Sequence, residues 1–341
     1  MSEVLVFDND RPIGTLWFRT RAGHESTTFE YHRAWLEDRA SYSIDPALPA
    51  SAGSFHTQAL SGAMADSAPD RWGRTLMRRA EQQTARREGR APRTLQEIDY
   101  LLQVDDRARQ GALRYRLGQD QPFLAARDPP IPPLVHLPRL LKASQRVMTD
   151  QDTEADLRLL LAPGSSLGGA RPKASVIDGD HLAIAKFPAP ADEWSVVRWE
   201  AVALALAADC GIDVPAWRLL EAAGRPVLVT RRFDRDNGRR LPYLSALSML
   251  QARERETRSY LEIVDALHRF GSRPTADMQQ LWLRVIFSVL ISNTDDHLRN
   301  HGFLHEAAGW RLSPAFDMNP VPVEVKPRIL STAISEADAT A

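Results

Sequence analysis

The stretch ISNTDDHLRNHGFL, residues 291–304, sets two adjacent aspartates, two histidines and two asparagines directly behind an almost wholly apolar run. Asp295 and Asn300 have the D-x-x-x-x-N spacing of a protein-kinase catalytic loop. There the aspartate orients or deprotonates the attacking hydroxyl, and the asparagine amide oxygen holds a magnesium ion. Seventeen positions after Asn300, AFDMNP supplies Asp317, a hard oxygen ligand where a second metal-binding carboxylate is needed. His297 and His301 are four apart and could bind zinc from one helix face, but the glutamate of an H-E-x-x-H site is absent. Asp296 reads as a residue that caps or packs beside the loop.

Two upstream stretches complete a constellation. GSSLGGARPKASV is glycine-rich between an expected helix and strand, which suits a backbone that must approach phosphate oxygens closely, although an ordinary flexible turn has the same composition. It lacks the GK[ST] ending of a Walker A loop. In HLAIAKF, strand alternation places Leu182, Ile184 and Lys186 on one face, so an ammonium follows two apolar side chains into a buried surface. An unpaired buried ammonium costs several kcal/mol, and Glu200 in the following helix is the nearest sensible partner. A lysine at an edge, snorkelling into solvent, is the plain alternative. The order matters more than any single motif: glycine-rich loop, strand lysine, helix glutamate, D-x4-N and a later aspartate follow one another as phosphoryl transfer on a kinase-like scaffold demands.

The surrounding chain must position these groups. Its 341 residues exceed what one core usually holds, so two domains are expected. The 43 basic and 44 acidic residues nearly cancel, which excludes a chain-wide nucleic-acid or membrane field but not a local basic patch. Basic residues are overwhelmingly arginine; the lysines are Lys142, Lys173, Lys186 and Lys326, and in so biased a chain a lysine marks a site wanting a compact ammonium. The single cysteine, Cys210, lies in the apolar helical pattern AVALALAADC and is expected to be an inert buried thiol in a reducing cytosol. The eight tryptophans, Trp282 and Trp310 among them, are expected in the core or at interfaces. No run of eighteen apolar residues and no basic-then-apolar start appears, so the chain reads as soluble, untargeted and cytoplasmic, with no membrane partner.

VLVF, IGTLWF and TTFEYH alternate as strands of a small antiparallel sheet. SAPDRWGRTLMRRAEQQTARREGR predicts a capped helix, EIDYLLQVDD a second, and GALRYRL a strand. RDPPIPPL, with four prolines, marks the best boundary. Beyond it come two helices, VHLPRLLKASQRVM and DTEADLRLLLAP, the latter capped by Asp152 or Thr153. Strands KASVID and HLAIAKF, a helix over Val196–Cys210, strands VPAWRLLE and RPVLVTRRF, and helices RSYLEIVDALHRF and TADMQQLWLRVIFSVLIS follow. The fold class is α+β, a strand-rich half before a helical half with a cleft between them.

At this point the residues resemble the HipA family of bacterial serine/threonine protein kinases, the toxins of HipA/HipB toxin–antitoxin modules. SAPDRWGR, SSLGGARPK, ISNTDDHLRNHGFL and SPAFDMNP carry the match over most of the chain. The resemblance implies a kinase-like two-lobed fold: residues 1–126 as a β-rich N-terminal subdomain, 127–238 as the nucleotide-binding part of the N-lobe, and 239–341 as a helical C-lobe. It implies ATP and Mg2+ as cofactors, with Asp295 as catalytic base, Asn300 and Asp317 as magnesium ligands, Lys186 on the ATP phosphates with Glu200 as its partner, and Gly168, Gly169 and Ala170 in the phosphate loop. RRFDR resembles the segment that holds adenine, near Arg231 and Phe233. A serine of the loop is autophosphorylated in the family and shuts the enzyme off; by register it is Ser166, with Ser165 the neighbouring choice, and a dianion there would crowd the phosphate pocket. The implied partners are a HipB-like helix-turn-helix antitoxin, operator DNA through that complex, and a protein substrate, for the family glutamyl-tRNA synthetase. Family members usually continue as further C-terminal helices, whereas this chain ends about two dozen residues beyond Asp317; either the sequence is a truncated piece or the member is short, and in both cases an incomplete large lobe is expected.

Two other readings stand beside the toxin kinase. One is a small-molecule kinase of related fold, against which the N-terminal subdomain and SAPDRWGR argue. The other is a binding module that docks on an antitoxin as co-repressor without catalysis.

Overall fold

The computed structural model describes residues 2–21, 24–125, 131–161, 169–322, 324–326 and 328–335. Five antiparallel strands open the chain: β1 (Ser2–Asp8), β2 (Arg11–Arg21), β3 (His24–Tyr31), β4 (Ser54–Thr57) and β5 (Leu113–Arg116), in the order β4-β3-β2-β1-β5. The β1–β2 turn is tight because Asn9 takes φ +53°, a left-handed conformation that asparagine tolerates. Helices α1 (Arg33–Leu36), α2 (Gly62–Asp66), α3 (Arg71–Arg87) and α4 (Glu97–Gln103) lie between β3 and β5. The long α3 is well specified at both ends: the Asp70 carboxylate accepts from Gly73 N at 2.8 Å, and Arg86 and Arg87 in the last turn oppose the negative end of the helix dipole.

Next come α5 (Leu137–Met148) and α6 (Glu154–Leu161), the latter capped by Thr153, whose Oγ1 accepts from Asp156 N. Strands β6 (Lys173–Asp178), β7 (His181–Lys186), β8 (Trp217–Ala222) and β9 (Arg225–Arg231) form a second antiparallel sheet, order β6-β7-β9-β8, with α7 (Val196–Asp209) between β7 and β8. Gly179 at φ +59° makes the β6–β7 turn. After the short pair β10 (Arg235–Asp236) and β11 (Arg239–Arg240), the chain continues as β12 (Tyr243–Ser245), α8 (Ala246–Met249), α9 (Tyr260–Phe270), α10 (Pro274–Leu290), β13 (Gly302–Glu306) and β14 (Gly309–Leu312).

The second half is therefore not purely helical: β12, β13 and β14 form a three-stranded sheet. Nor do the apolar clusters follow the expected unit bounds. Val4, Val6, Leu16, Phe29 and Tyr31 of the first sheet share one core with Leu244, Ile263, Leu267, Phe303 and Leu312, so the N-terminal sheet is closed by the last third of the chain. A second cluster packs Trp72 and Leu76 of α3 with α5, α6 and the β6–β9 sheet. Cys210 corrects one expectation, because it is exposed. The buried positions of α7 run Val197, Ala201, Leu204 and Ala207; Cys210 falls past the last turn, where the chain swings away through Gly211 at φ +78°. Of the two tryptophans singled out, Trp310 is core and Trp282 lies on the surface.

A buried charge cluster ties the parts together. The Arg232 guanidinium donates to Asp234 from Nε at 2.8 Å and Nη2 at 2.5 Å, and also to the carbonyls of Ala108 and Arg109. Asp234 further accepts from Gly111 N and from Arg235, both at 2.8 Å. Burial works against the Asp234 carboxylate, but Arg232 and Arg235 outweigh it and hold its pKa well below the ordinary value. Removing the carboxylate leaves two guanidinium groups in the interior. Asp234→Ala is expected to cost about 3–5 kcal/mol of unfolding free energy in a denaturant titration, whereas the surface change Asp236→Ala stays within about 0.5 kcal/mol.

Candidate active site

Lys186 closes β7, and its ammonium is held by two carboxylates from different parts of the chain. Nζ donates to Glu200 Oε1 on α7 at 2.5 Å and to Asp317 Oδ1, beyond β14, at 2.6 Å. Burial disfavours this ammonium, yet Asp317 and then Glu200 prevail, and the Lys186 pKa stands well above the ordinary lysine value. Asp317 is likewise desolvated, but Lys186 and Lys173 keep it ionised with a pKa well below the carboxylate norm. Glu200 ends the other way: burial, with the Asp317 charge adding to it, raises its pKa against the pull of Lys186. Helix, strand and C-terminal segment thus meet at one nitrogen.

Asp317 sits at φ +60°, a left-handed conformation that costs on the order of 1 kcal/mol for a residue with a side chain. Asn319, which the sequence reading passed over, stabilises it. Its Nδ2 donates to Asp317 O at 3.1 Å and Oδ1 at 3.2 Å, and its own backbone N–H donates to Asn293 Oδ1 at 3.4 Å. The tripeptide Asp-Met-Asn carried the signal, an amide two residues after a strained aspartate.

The two adjacent aspartates point to different tasks. Asp296 is buried, accepting from Tyr260 Oη at 2.7 Å and Ser288 Oγ at 3.1 Å, with His301 Nε2 at 3.2 Å; its carbonyl accepts from Thr332 Oγ1 at 2.7 Å. Burial alone would raise its pKa, but His301 and these hydrogen bonds lower it. Asp295 is exposed. Partial desolvation raises its pKa, with Asp317 and Asp296 adding repulsion and His297 and Arg71 opposing it. The loop folds back because His297 N donates to Asp295 O at 2.9 Å and Asn300 Nδ2 to the same oxygen at 3.1 Å. Asn300 is buried, and its Oδ1 has no hydrogen-bond partner among the described residues.

That orphaned amide oxygen is the observation by which a magnesium ion can be tested. Asn300 Oδ1, the carboxylate of Asp317 and Asn319 Oδ1, which has no hydrogen-bond partner among the described residues, are hard oxygen donors of the kind magnesium takes, so these residues fit it. Zinc fits less well. His301 is turned into the Asp296 and Tyr260 network, with its ring edge-on to Tyr260 at 5.5 Å. Among the described residues no group of three or more His, Cys, Asp or Glu gathers as metal ligands.

Of the glycine-rich stretch, Gly169 and Ala170 are described; Gly168, Ser165 and Ser166 lie outside the described residues. Gly169 takes φ +89°, and a Cβ there would come within 3.4 Å of Lys173 Nζ and 3.8 Å of Asp317 Oδ2, so the glycine backbone runs beside the lysine and aspartate. Ala170 is exposed. In RRFDR, Arg231 N and Arg232 N are engaged by Ala216 O and Leu182 O, and the Arg231 side chain faces solvent. The Phe233 ring lies 5.4 Å from Phe316, the residue before Asp317.

A strand lysine paired to a helix glutamate and to a later aspartate, under a glycine-rich segment and beside a D-x4-N loop, defines a two-lobed α+β fold of the kinase-like class. The chain belongs to the HipA family: residues 165–341 match its HipA-like C-terminal domain and residues 4–102 the HipA N-terminal domain. It is 25% identical over 330 residues to a protein named putative kinase Y4mE from Sinorhizobium fredii, covering 88% of this chain and 73% of that one. A putative kinase from Haemophilus influenzae is 24% identical over 196 residues, half of this chain and 56% of the relative. The fold is shared with HipA from Shewanella oneidensis MR-1, solved with HipB and operator DNA, at a TM-score of 0.69 and 18% identity, covering 99% of this chain and 80% of that one.

The geometry separates an anchoring from an exposed aspartate, and melting experiments read this directly. Asp296→Ala is expected to lower stability by about 3–5 kcal/mol by leaving buried donors unpaired, while Asp295→Asn shifts it by less than about 0.5 kcal/mol.

Proposed function

We propose that the protein is an ATP- and magnesium-dependent serine/threonine protein kinase acting as the toxin of a toxin–antitoxin module. The observation that carries this reading is the Lys186 ammonium shared between Glu200 and Asp317. The Lys186 ammonium spends two of its three N–H donors on these carboxylates and keeps one for a phosphate oxygen, and Asp295 is exposed where an incoming hydroxyl can meet it. In the reaction the hydroxyl oxygen of a protein serine or threonine bonds to the γ-phosphorus, the bond from that phosphorus to the β,γ-bridging oxygen breaks, ADP leaves with the electron pair, and the hydroxyl proton passes to Asp295. Asn300 and Asp317 would hold magnesium, which spreads the charge of the transferring group when bound. Gly169 and Ala170, with Gly168 outside the described residues, would line the phosphates, and the segment from Arg231 to Phe233 would border the adenine. Residues 1–126 serve as the N-terminal subdomain, 127–238 carry the nucleotide and 239–341 the catalytic loop.

The partner reading rests on family membership and on the HipB and operator DNA bound to the Shewanella HipA. A HipB-like helix-turn-helix antitoxin is the partner, DNA is reached through it, and a translation component, by resemblance glutamyl-tRNA synthetase, is the substrate. Autophosphorylation of Ser166 or its neighbour Ser165 turns the enzyme off by placing a dianion beside the phosphate loop.

Intact-mass and peptide mass spectrometry after incubation with magnesium and ATP tests this. The expected outcome is one added phosphate on the peptide holding Ser165 and Ser166, absent when magnesium is chelated and slowed at least about 100-fold in Asp295→Asn. Transfer at near parental rate in that variant would overturn the assignment. Because the Asp295 pKa is raised, the rate should also fall with decreasing pH earlier than for an ordinary surface aspartate.

A further inference from the structure

The segment Asp66-Ser67-Ala68-Pro69-Asp70 overlaps SAPDRWGR, a motif that the chemistry described so far does not use, and carries a carboxylate at each end. Asp66, the last residue of α2, accepts from Ser245 N at 2.7 Å and Ser245 Oγ at 2.8 Å, and pairs with Arg299 Nη1 at 3.2 Å. Arg299 stands between Asp295 and Asn300 in the D-x4-N loop, and its Nε is held from another side by Glu254 at 2.6 Å. Helix α2 is pressed onto the same region: a Cβ on Gly62 would come within 2.6 Å of Ser248 Cβ in α8, an approach that only glycine permits. At the other end Asp70 accepts from Lys173 Nζ at 3.0 Å, and Trp72 Nε1 donates to the Lys173 carbonyl at 2.9 Å. Lys173 opens β6 and lies directly opposite Lys186 of β7. One carboxylate thus holds the loop that carries Asp295, and the other holds the sheet that carries Lys186.

The chain between the two carboxylates is fixed at each residue. Ser67 O accepts from the buried Arg109 Nη1 at 3.0 Å, and Ser67 Oγ meets Tyr115 Oη at 2.9 Å. Ala68 N donates to Ala65 O at 3.1 Å, and Pro69, whose ring restricts φ, gives its carbonyl to Arg74 Nε at 3.0 Å. Both aspartate side chains are buried, so solvent and salt screen the two bridges little. A flexible connection bearing the same two charges would hold each half of the site without fixing one against the other. We infer that the turn from Asp66 to Asp70 is a rigid strut that sets the D-x4-N loop against the β6–β9 sheet, with Asp66 and Arg299 as positioning residues for phosphoryl transfer. Transfer depends steeply on such placement, because a displacement of about 1 Å can cost about 100-fold in rate. The kinetic consequence rests on the kinase reading; the mechanical one does not.

The test uses the full chain carrying Cys210→Ser, with spin labels attached through Asp180→Cys in the β6–β7 turn and Ala308→Cys in the β13–β14 turn, both exposed positions. Pulsed electron resonance between the labels should give a narrow distance distribution in this parent. Asp66→Asn should broaden or displace it, and so should Pro69→Gly, which keeps both carboxylates and only frees the turn. Phosphoryl transfer at saturating ATP should slow about tenfold in Asp66→Asn and about threefold or more in Pro69→Gly, while calorimetric ATP affinity stays within about twofold. Parental distances in both variants, or thermal melts that fall while the transfer rate at saturating ATP holds, overturn the strut. So does a response in Asp66→Asn alone, which would reduce the turn to two separate bridges. Should Asp66→Asn not fold, Pro69→Gly decides by both readouts. A parent that transfers no phosphate removes the kinase reading, and the distances still decide the strut.

Discussion

A buried ammonium cannot be left without counter-charge, and the need to surround Lys186 organises this molecule. One carboxylate would suffice to neutralise it, but two are supplied, from α7 and from the segment after β14, at 2.5 and 2.6 Å. The second is the more consequential. Asp317 is separated from Lys186 by 131 positions in sequence, so the pair forms only when the β6–β9 sheet and the C-terminal half have docked. The apolar contacts of that docking are modest residues: Val197, Ala201, Leu204 and Ala207 of α7 gather with Phe287, Ala315 and Met318. Small side chains there let α7 come close, and closeness is what brings Glu200 and Asp317 to the same nitrogen.

The D-x4-N loop obeys a complementary constraint. Its first aspartate, Asp295, is exposed, yet the backbone that carries it is fixed. The sequence Asp-Asp resolves this by giving the second carboxylate to Tyr260, Ser288 and His301 and leaving the first at the surface. The anchoring extends outward. Asp66 of α2 accepts from Ser245 N and Oγ and pairs with Arg299 of the loop, so the N-terminal part and the loop share a carboxylate. Ring stacking of Tyr42 on His305 at 3.8 Å continues the same junction.

Much of this was legible in order and spacing. That a buried Lys186 needs a carboxylate and that Glu200 can supply it is readable from the strand and helix periods around them, and the structure adds Asp317 as a second partner. What escaped had no local signature. The strands β13 and β14 are short, with an unremarkable turn, and acquire their identity by pairing with each other and with the distant β12. Asn319 gains meaning only from the positive φ of Asp317. Cys210 was misplaced because periodicity reports which face of a helix is buried and not where the helix stops. The partner of Lys173, Asp70, lies 103 positions earlier, beyond the reach of any pattern.

The sharing of one core between the first sheet and the last third of the chain decides what the N-terminal part can be. A domain that closed its own core could be an appendage, attached for binding and dispensable for the site. Here Val4, Phe29 and Tyr31 are covered by residues such as Leu244, Leu267 and Phe303, and Arg240 N donates to Asn9 Oδ1 at the tip of the β1–β2 turn. Loss of that sheet would expose the apolar side of α9 and of the β12–β14 sheet, the elements that flank the D-x4-N loop. The same N-terminal part reaches the opposite lobe through Asp70 and Trp72. It touches the β6–β9 sheet and the core beneath the D-x4-N loop at once, and so joins the element that carries Lys186 to the one that carries Asp295.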